Sequence, residues 1–568
     1  MDLVKIIRQA VDKAVSDLSL GKVDYAIDHP IDMEHGDYAC NVAMKGFDRV
    51  KDKFKLPREL GEAITSKLKG DKNLKKIASE ITVAGPGFIN ISIQTSVLVS
   101  LMEELLKEGK GKGELKGKKM MVEYAHPNTH KQFHIGHLRN ISLGESICRI
   151  LEANGAEVIR TNYQGDVGLH IAKAIWGVQS MSNDFKKVKS GSVFEKTKFL
   201  GKAYVAGSKA YEEDEKAKEK IVEYNKQIFA GKGEIISLWK ETREWSLEYF
   251  DLIYKRVGTK YDRLYFESEC VDGLERAKEA LNKGILKKSK GAVVFDGSKY
   301  GLDTRVFINS LGLPTYEAKE LSLAPKEFTE FGNLDKCIHV VGPEQQSFFS
   351  VTFKVEELLD AKMFKDKQYH KVYAYVNLKS GKMSSRKGKV VSGWEVLEGT
   401  KDRIIKENKC DKEKAEKIAV GAVKYAFLKV QPMNEIAFDF DESISLEGNS
   451  GPYLQYTYAR TQSVLRKASL QGQTLKVENL SKEEMVVLRK MSRFIEVVEE
   501  AGKELAPNLI ANFLYDLAQK YNGFYNKHSI LKAEKKEDKL FRLKLTEVVG
   551  KVIKQGLYLL GVETLEKM

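Results

Sequence analysis

Apolar residues recur at helical spacing from the start of the chain, at Leu3, Ile6, Ile7, Ala10, Val11, Ala14 and Leu18. That spacing places them on one face, so an amphipathic helix is expected to open the fold. Farther on, Ile81 to Val83 and Phe88 to Ile93 alternate apolar and polar positions on either side of Gly85-Pro86-Gly87. They read as two strands joined by a turn. A helix to about Glu108 follows, then the run GKGKGELKGKK. Almost nothing in that run can be buried, and it marks the clearest boundary in the sequence.

The period changes at Met120 to Tyr124, an apolar run that suits a buried strand. Ile141, Leu143, Ile147, Ile150 and Leu151 then line one side of a helix, and Glu157 to Arg160 reads as a second strand. Together they make a βαβ unit, the first half of a Rossmann-type parallel sheet. A charged stretch from about Lys186 to Glu248, dense in Glu/Lys pairs between Ala206 and Lys220, reads as a solvated helical insertion. The strand pattern returns at AVVFD, CIHVVG and VYAYVNL, all three assigned to the same sheet, and from about Leu397 the pattern is helical to the end. The expected architecture is multidomain α/β. A small N-terminal α/β domain spans 1–110, a Rossmann-type parallel-sheet domain with its helical insertion spans 118–396, and a C-terminal all-α bundle spans 397–568.

Two polar stretches carry chemistry. His134-Ile135-Gly136-His137 falls where the first strand of the sheet gives way to a helix, a place where free N–H groups and the helix dipole favour phosphate. Gly136 lets phosphates come close, and each imidazole can donate a hydrogen bond to a phosphoryl oxygen. Far downstream stands Lys382-Met383-Ser384-Ser385-Arg386-Lys387-Gly388. Small residues crowded with cations suit a loop that closes over a polyphosphate and neutralises a leaving pyrophosphate. Alone, the second stretch reads as a solvated basic loop; paired with the first, it points to reaction at a nucleotide α-phosphate. Histidines 126, 130, 134 and 137 could also suggest zinc. Pro127 and Gly136 interrupt any continuous helix there, however, and no HExxH is present, so no metal site is expected.

Composition narrows the picture little. A net charge of +14 over 568 residues suits a polyanionic partner and equally serves solubility. Cysteines 40, 148, 270, 337 and 410 form no CxxC pair, which suggests neither a zinc knuckle nor a disulfide framework, and reduced thiols fit a cytoplasmic protein. No apolar run approaches the roughly 20 residues of a membrane span, and the N-terminus is amphipathic rather than signal-like.

The pairing of HIGH with a distal KMS-type loop resembles that of class I aminoacyl-tRNA synthetases. Across essentially the whole chain the sequence is similar to the arginyl-tRNA synthetase family. The resemblance is carried by VEYAHPN before HIGHLRN, by TNYQGDVGLHI, by EHGDYACNVA and AGPGFINISI near the N-terminus, and by EGNSGPYLQYTYAR, NFLYDLAQKYNGFYN and GLYLLGVETLEKM towards the C-terminus. It implies an arginine–tRNA ligase that forms arginyl-adenylate from ATP and L-arginine, then transfers the arginyl group to its tRNA. ATP, with Mg²⁺ on its phosphates, would meet His134, Gly136, His137, Met383, Ser384 and Ser385. Catalytic roles would fall to Lys131, His134, His137, Lys382, Arg386 and Lys387. The arginine pocket, which needs carboxylates and neutral acceptors for a planar cation, carries over onto Glu123, Asn128, Tyr316, Glu320 and Gln345. The N-terminal domain would contact the tRNA elbow and the C-terminal bundle the anticodon stem-loop. There, aromatics beside cations can stack bases, though at helical spacing they serve equally as core; Tyr453, Tyr456, Arg460 and Tyr521 are the candidates. A cytoplasmic monomer without bound zinc is expected.

Two positions depart from the family. Glu320 stands where aspartate is usual, and Ser385 stands where the KMSKS lysine would be; Lys131 matches a lysine that many relatives without that residue carry. Three rival readings remain. A neighbouring synthetase would differ in the amino acid charged. A nucleotidyltransferase would be indifferent to tRNA. A catalytically inactive paralogue would bind tRNA without forming adenylate.

Overall fold

Residues 1–30, 32–107, 113–379, 392–468 and 479–568 are described by the structure, a computed structural model. The described chain falls into two units. One comprises Met1–Gly109, Arg460–Ile495 and Asp516–Ile553; the other comprises Lys110–Ala459, Glu496–Tyr515 and Lys554–Met568.

In the first unit the opening helix spans Leu3–Asp17, its N-terminus capped by the Asp2 carboxylate on the Lys5 N–H at 2.9 Å. The strands Ala78–Ala84 and Phe88–Ile93 pair antiparallel. They join Tyr38–Cys40 and Ile27–Asp28 in a four-stranded sheet that runs Ile27–Asp28, Tyr38–Cys40, Phe88–Ile93, Ala78–Ala84. The sequence treats this module as separate, yet it shares its unit with C-terminal helices. Helix Thr95–Lys107 packs on Lys482–Ser492. Buried Asp37 accepts the Ile93 N–H at 2.7 Å and pairs with Arg489 at 3.2 Å.

In the second unit five parallel strands form the main sheet: β1 (Lys119–Glu123), β2 (Glu157–Gln164), β3 (Arg263–Phe266), β4 (Lys336–Val341) and β5 (Gln368–Val372), in the order β5-β4-β1-β2-β3. Helix α1 (Ile135–Ala153) makes the crossover from β1 to β2. The insertion between β2 and β3 is helical as expected and begins earlier, at Leu169; its last helix is α2 (Ile236–Arg256). Helices α3 (Tyr316–Phe331) and α4 (Gln346–Leu359) flank β4 in sequence.

Two strand assignments need correcting. AVVF, at Ala292–Phe295, belongs to a separate three-stranded antiparallel sheet with Lys287–Ser289 and Arg305–Ile308. Its reason is local: Lys290 and Gly291, at φ 47° and 79°, turn the chain straight back on itself, the backbone a two-residue hairpin needs. VYAYVNL contributes only its first residue, Val372, to β5. Val376–Leu378 pairs instead with Ile436–Phe438, a strand absent from the expected all-helical C-terminal pattern.

Candidate active site

Between the end of β1 and the start of α1 the chain takes an unusual path. Ala125, His126 and His130 have φ of 85°, 48° and 61°, the left-handed region that costs a non-glycine residue about 1 kcal/mol or more. Surrounding polar groups hold each of them there. Asn140 accepts the Ala125 N–H at 2.5 Å and donates to the Val340 carbonyl at 2.7 Å, and Asn162 accepts the His126 N–H at 3.2 Å. Ser246 of α2 accepts the His130 N–H at 2.9 Å, while the His130 ring lies between the Thr129 and Thr242 hydroxyls at 3.0 and 2.8 Å. Burial pushes this imidazole down to about 3. His130 is therefore a neutral structural member and no candidate ligand.

The two remaining imidazoles cap α1. The Gly136 N–H donates to His134 Nδ1 at 3.1 Å, and the His134 N–H donates to His137 Nδ1 at 3.1 Å, a reciprocal capping box made by histidines. A neutral imidazole that accepts at Nδ1 carries its proton at Nε2. Both rings are neutral at pH 7. Burial, with help from the Lys131 charge, holds His134 down to about 4, and burial and the neighbouring His134 ring take His137 further below its ordinary value. The ring centroids are 3.8 Å apart. The result is a pair of Nε2–H donors at the positive end of a helix. Gly136 has a further role that the sequence reading missed, because a Cβ there would stand 2.9 Å from the His134 ring.

Lys131 lies over the Tyr204 ring at 5.2 Å. Burial lowers its pKa, and its charge bears on His134, His137 and His170. Arg139, the arginine of HIGHLRN, turns away from the histidines. Its guanidinium donates to the Tyr375, Pro432 and Asn434 carbonyls at 2.7, 3.0 and 2.8 Å, tying down the chain that leads out of β5. Lys382, Met383, Ser384, Ser385, Arg386 and Lys387 lie outside the described residues.

The residues expected to hold an amino acid gather at the carboxyl ends of the strands, the usual ligand side of such a sheet. Glu123 is 2% exposed and its Oε1 lies 3.0 Å from His339 Nδ1. Glu320, 4% exposed, responds electrostatically to both Glu123 and His339. Asn128 bridges to Gly165 beyond β2, where its side-chain oxygen and the Glu267 carboxylate converge. Gln345 closes the short turn after β4, its N–H donating to the Gly342 carbonyl at 3.2 Å. Tyr316 shares α3 with Glu320 but stands 61% exposed at its first turn. Glu267 and Lys319, paired at 2.7 Å and both buried, were missed. A carboxylate directly after a strand of the sheet was the available signal for Glu267. Among the described residues no group of three His, Cys, Asp or Glu side chains converges as a metal-binding set.

The candidates for RNA contact divide. Tyr453 packs edge-on against Tyr515 at 5.7 Å, and Tyr456 is exposed. In the other unit Arg460 donates to Asn522 at 2.5 Å and lies over the Tyr525 ring at 4.9 Å. Tyr521 needs correcting: it is 0% exposed, with its hydroxyl on Thr546 and its ring against Phe524, so helical spacing marks it as core.

Comparison with known proteins agrees along the whole length. The family model for the class I (R) tRNA synthetase catalytic domain matches residues 100–440, the DALR anticodon binding domain matches 454–568, and the arginyl tRNA synthetase N terminal domain matches 1–93. The arginine–tRNA ligase of Flavobacterium psychrophilum is 33% identical over 545 residues, covering 90% of each chain. That of Bacteroides thetaiotaomicron is 34% identical over 522 residues, covering 85% of this chain and 86% of the relative. Among solved structures, the Thermus thermophilus arginyl-tRNA synthetase superposes with a TM-score of 0.82 at 26% identity, covering 100% of both chains.

Proposed function

The chain belongs to the arginyl-tRNA synthetase family, and from that premise we propose that it acts as an arginine–tRNA ligase. It activates L-arginine with ATP to arginyl-adenylate and transfers the arginyl group to the 3′ end of arginine tRNA. The observation that carries the chemical part of this reading is the histidine capping box. It presents two neutral Nε2–H donors beside the N–H groups of α1, the equipment for charge developing on an α-phosphate.

In the proposed reaction ATP lies over His134, Gly136 and His137, and the arginine carboxylate attacks the α-phosphorus in line. The histidines hydrogen-bond the non-bridging oxygens as their charge grows. Lys131 draws on the leaving pyrophosphate, together with Lys382, Met383, Ser384, Ser385, Arg386 and Lys387 of the distal loop. Positioning and electrostatics do this chemistry, and no side-chain nucleophile is needed. Mg²⁺ entering with ATP would supply neutralising charge at the phosphates. Glu123, Asn128, Tyr316, Glu320 and Gln345 frame the arginine, with Glu320 facing the guanidinium.

The domain roles follow the family. Residues 1–110 bind the tRNA elbow, 118–396 hold the reaction, and 397–568 bind the anticodon stem-loop through a surface that includes Tyr453, Tyr456 and Arg460. No helix among the described residues is long and apolar enough to cross a membrane, and the proposed setting is a monomer in the cytoplasm. Aminoacylation of total tRNA, with each labelled amino acid offered separately, tests the reading. Charging with arginine alone is expected. Charging with another amino acid would overturn the pocket, and tRNA binding without charging would overturn the activity.

A further inference from the structure

Four glutamates from three elements meet one imidazole beneath the proposed arginine pocket. Glu123 ends β1, Glu320 and Glu327 lie on α3, Glu356 lies on α4, and His339 stands in β4; all five are buried. His339 Nδ1 is 3.0 Å from Glu123 Oε1, and its Nε2 is 2.9 Å from Gln368 Oε1. The Gln368 amide nitrogen donates to Glu356 Oε2 at 2.9 Å, which turns the amide oxygen towards the ring. With the amide so turned, both ring nitrogens face oxygen atoms, an arrangement that favours an imidazolium. His126 Nδ1 lies 3.9 Å from Glu123, and the Cys337 sulfur lies 3.9 Å from Glu327. From β5, His370 is the register neighbour of His339, packs on the same Phe349 ring, and is lowered by burial. Glu123 Oε2, Glu320 Oε1, Glu327 Oε1 and Glu356 Oε1 are buried and meet no donor among the described residues.

Four carboxylates cannot all ionise beside a single cation in a dry interior. Burial and the Glu123 charge hold Glu327 far above the usual carboxylate range, and burial and the Glu320 charge do the same for Glu356. These two keep their protons. Glu123 goes the other way, since the His339 charge and hydrogen bond outweigh its burial. Burial opposes a charge on His339, but the ion pair and hydrogen bond with the Glu123 carboxylate raise it in turn, the Cys337 thiol being held neutral by its own burial. Glu320 is left between the two outcomes, raised by burial to about 7.

We propose that His339 is a positioning residue for the guanidinium pocket. By holding Glu123 as its ion-pair partner, it leaves Glu320 as the carboxylate of the cluster that takes the charge of the substrate. The inference rests on the reading of Glu320 given under the proposed function. Its consequence is that arginine binding expels a proton from Glu320, so the pocket discriminates by charge as well as by shape.

The test is the pH dependence, from pH 6 to 8.5, of KM for arginine and of kcat in aminoacylation by the full-length protein. In the wild type KM should fall about tenfold between pH 6 and 8 while kcat changes less, because Glu320 must be ionised to bind. His339→Gln removes the cation but keeps hydrogen-bonding capacity. It should raise KM at pH 7 about tenfold, leave kcat at saturating arginine within about threefold, and move the fall in KM to higher pH. Gln368→Met, which loosens the ring without removing its charge, should act in the same direction by about threefold. That variant carries the test should His339→Gln fail to fold. A wild-type KM that does not change with pH, or variants that lower kcat without moving the KM profile, would overturn the inference. Failure of the wild type to charge tRNA with arginine would overturn the functional reading along with it, so the two failures are distinguishable.

Discussion

Two histidine sites belong to neighbouring parts of one sheet, one at the start of the helix that follows β1 and one within β4, and their surroundings shift them in opposite directions. His134 and His137 follow β1, accept backbone N–H groups at Nδ1 and lie near Lys131, so burial strips their protons. His339 in β4 is more deeply buried than either, yet both its nitrogens face oxygen atoms and its pKa is raised. Burial alone does not decide the state of an imidazole; the polarity of the two atoms it points at does. The first site is thereby suited to meeting phosphate as a donor without attracting it as a counterion. The second is suited to setting the charge of a carboxylate pocket.

The largest effect that could break this comparison lies at the neutral pair. His134→Ala or His137→Ala should lower the rate of adenylate formation on the order of a hundredfold, about 3 kcal/mol of transition-state stabilisation. Single-turnover measurement with tRNA bound checks this, and a rate within about twofold of wild type would remove the role from that residue.

The pH dependence of stability separates His130, the structural histidine before the first site, from His339 by sign. His130, held down to about 3 against an ordinary 6.5, stays neutral in the fold and charges on unfolding. Stability is therefore lost as pH falls through 6.5 towards about 3, by roughly 2 kcal/mol at pH 5. His339 is raised instead, so its contribution is complete below 6.5 and is lost as pH rises through its folded value. Thermal unfolding of His130→Gln should show a flatter acid limb than wild type, and an unchanged limb would mean that His130 is already charged in the fold.

Lys131→Met should cost on the order of tenfold in kcat, or about 1.4 kcal/mol, with KM for arginine unchanged. A rise in KM for arginine instead would link Lys131 to the carboxylate cluster and blur the distinction. The smallest expected effect is that of Gly136→Ala, whose Cβ would crowd the His134 ring. A loss of about 1 kcal/mol, about fivefold in kcat, is expected, without any change in the arginine KM profile. If that profile shifts, the two sites are mechanically coupled.

Local patterning made much of the molecule legible. The opening helix, the strands around Gly85-Pro86-Gly87, the βαβ unit and the helical insertion follow from apolar spacing and turn residues, because those interactions join neighbours in sequence. The HIGH stretch was legible for the same reason: a strand end, a glycine and a helix start are consecutive. Sequence also fixed which residue types were available to the pocket, including Glu320 in place of aspartate.

Pairing between distant segments was decided only in three dimensions. AVVF has the composition of a strand in the main sheet and goes to another, because a hairpin turn next to it offers a nearer partner. Tyr521 has the spacing of a stacking residue and is core, because the opposite helix covers it. Asn140 and Asn162 fix the strained loop, His339 and Glu327 meet Glu123, and Gln368 links His339 to Glu356. None is near its partner in sequence. The charge of a buried group is set by what lies within a few ångströms, and periodicity along a chain carries no record of that.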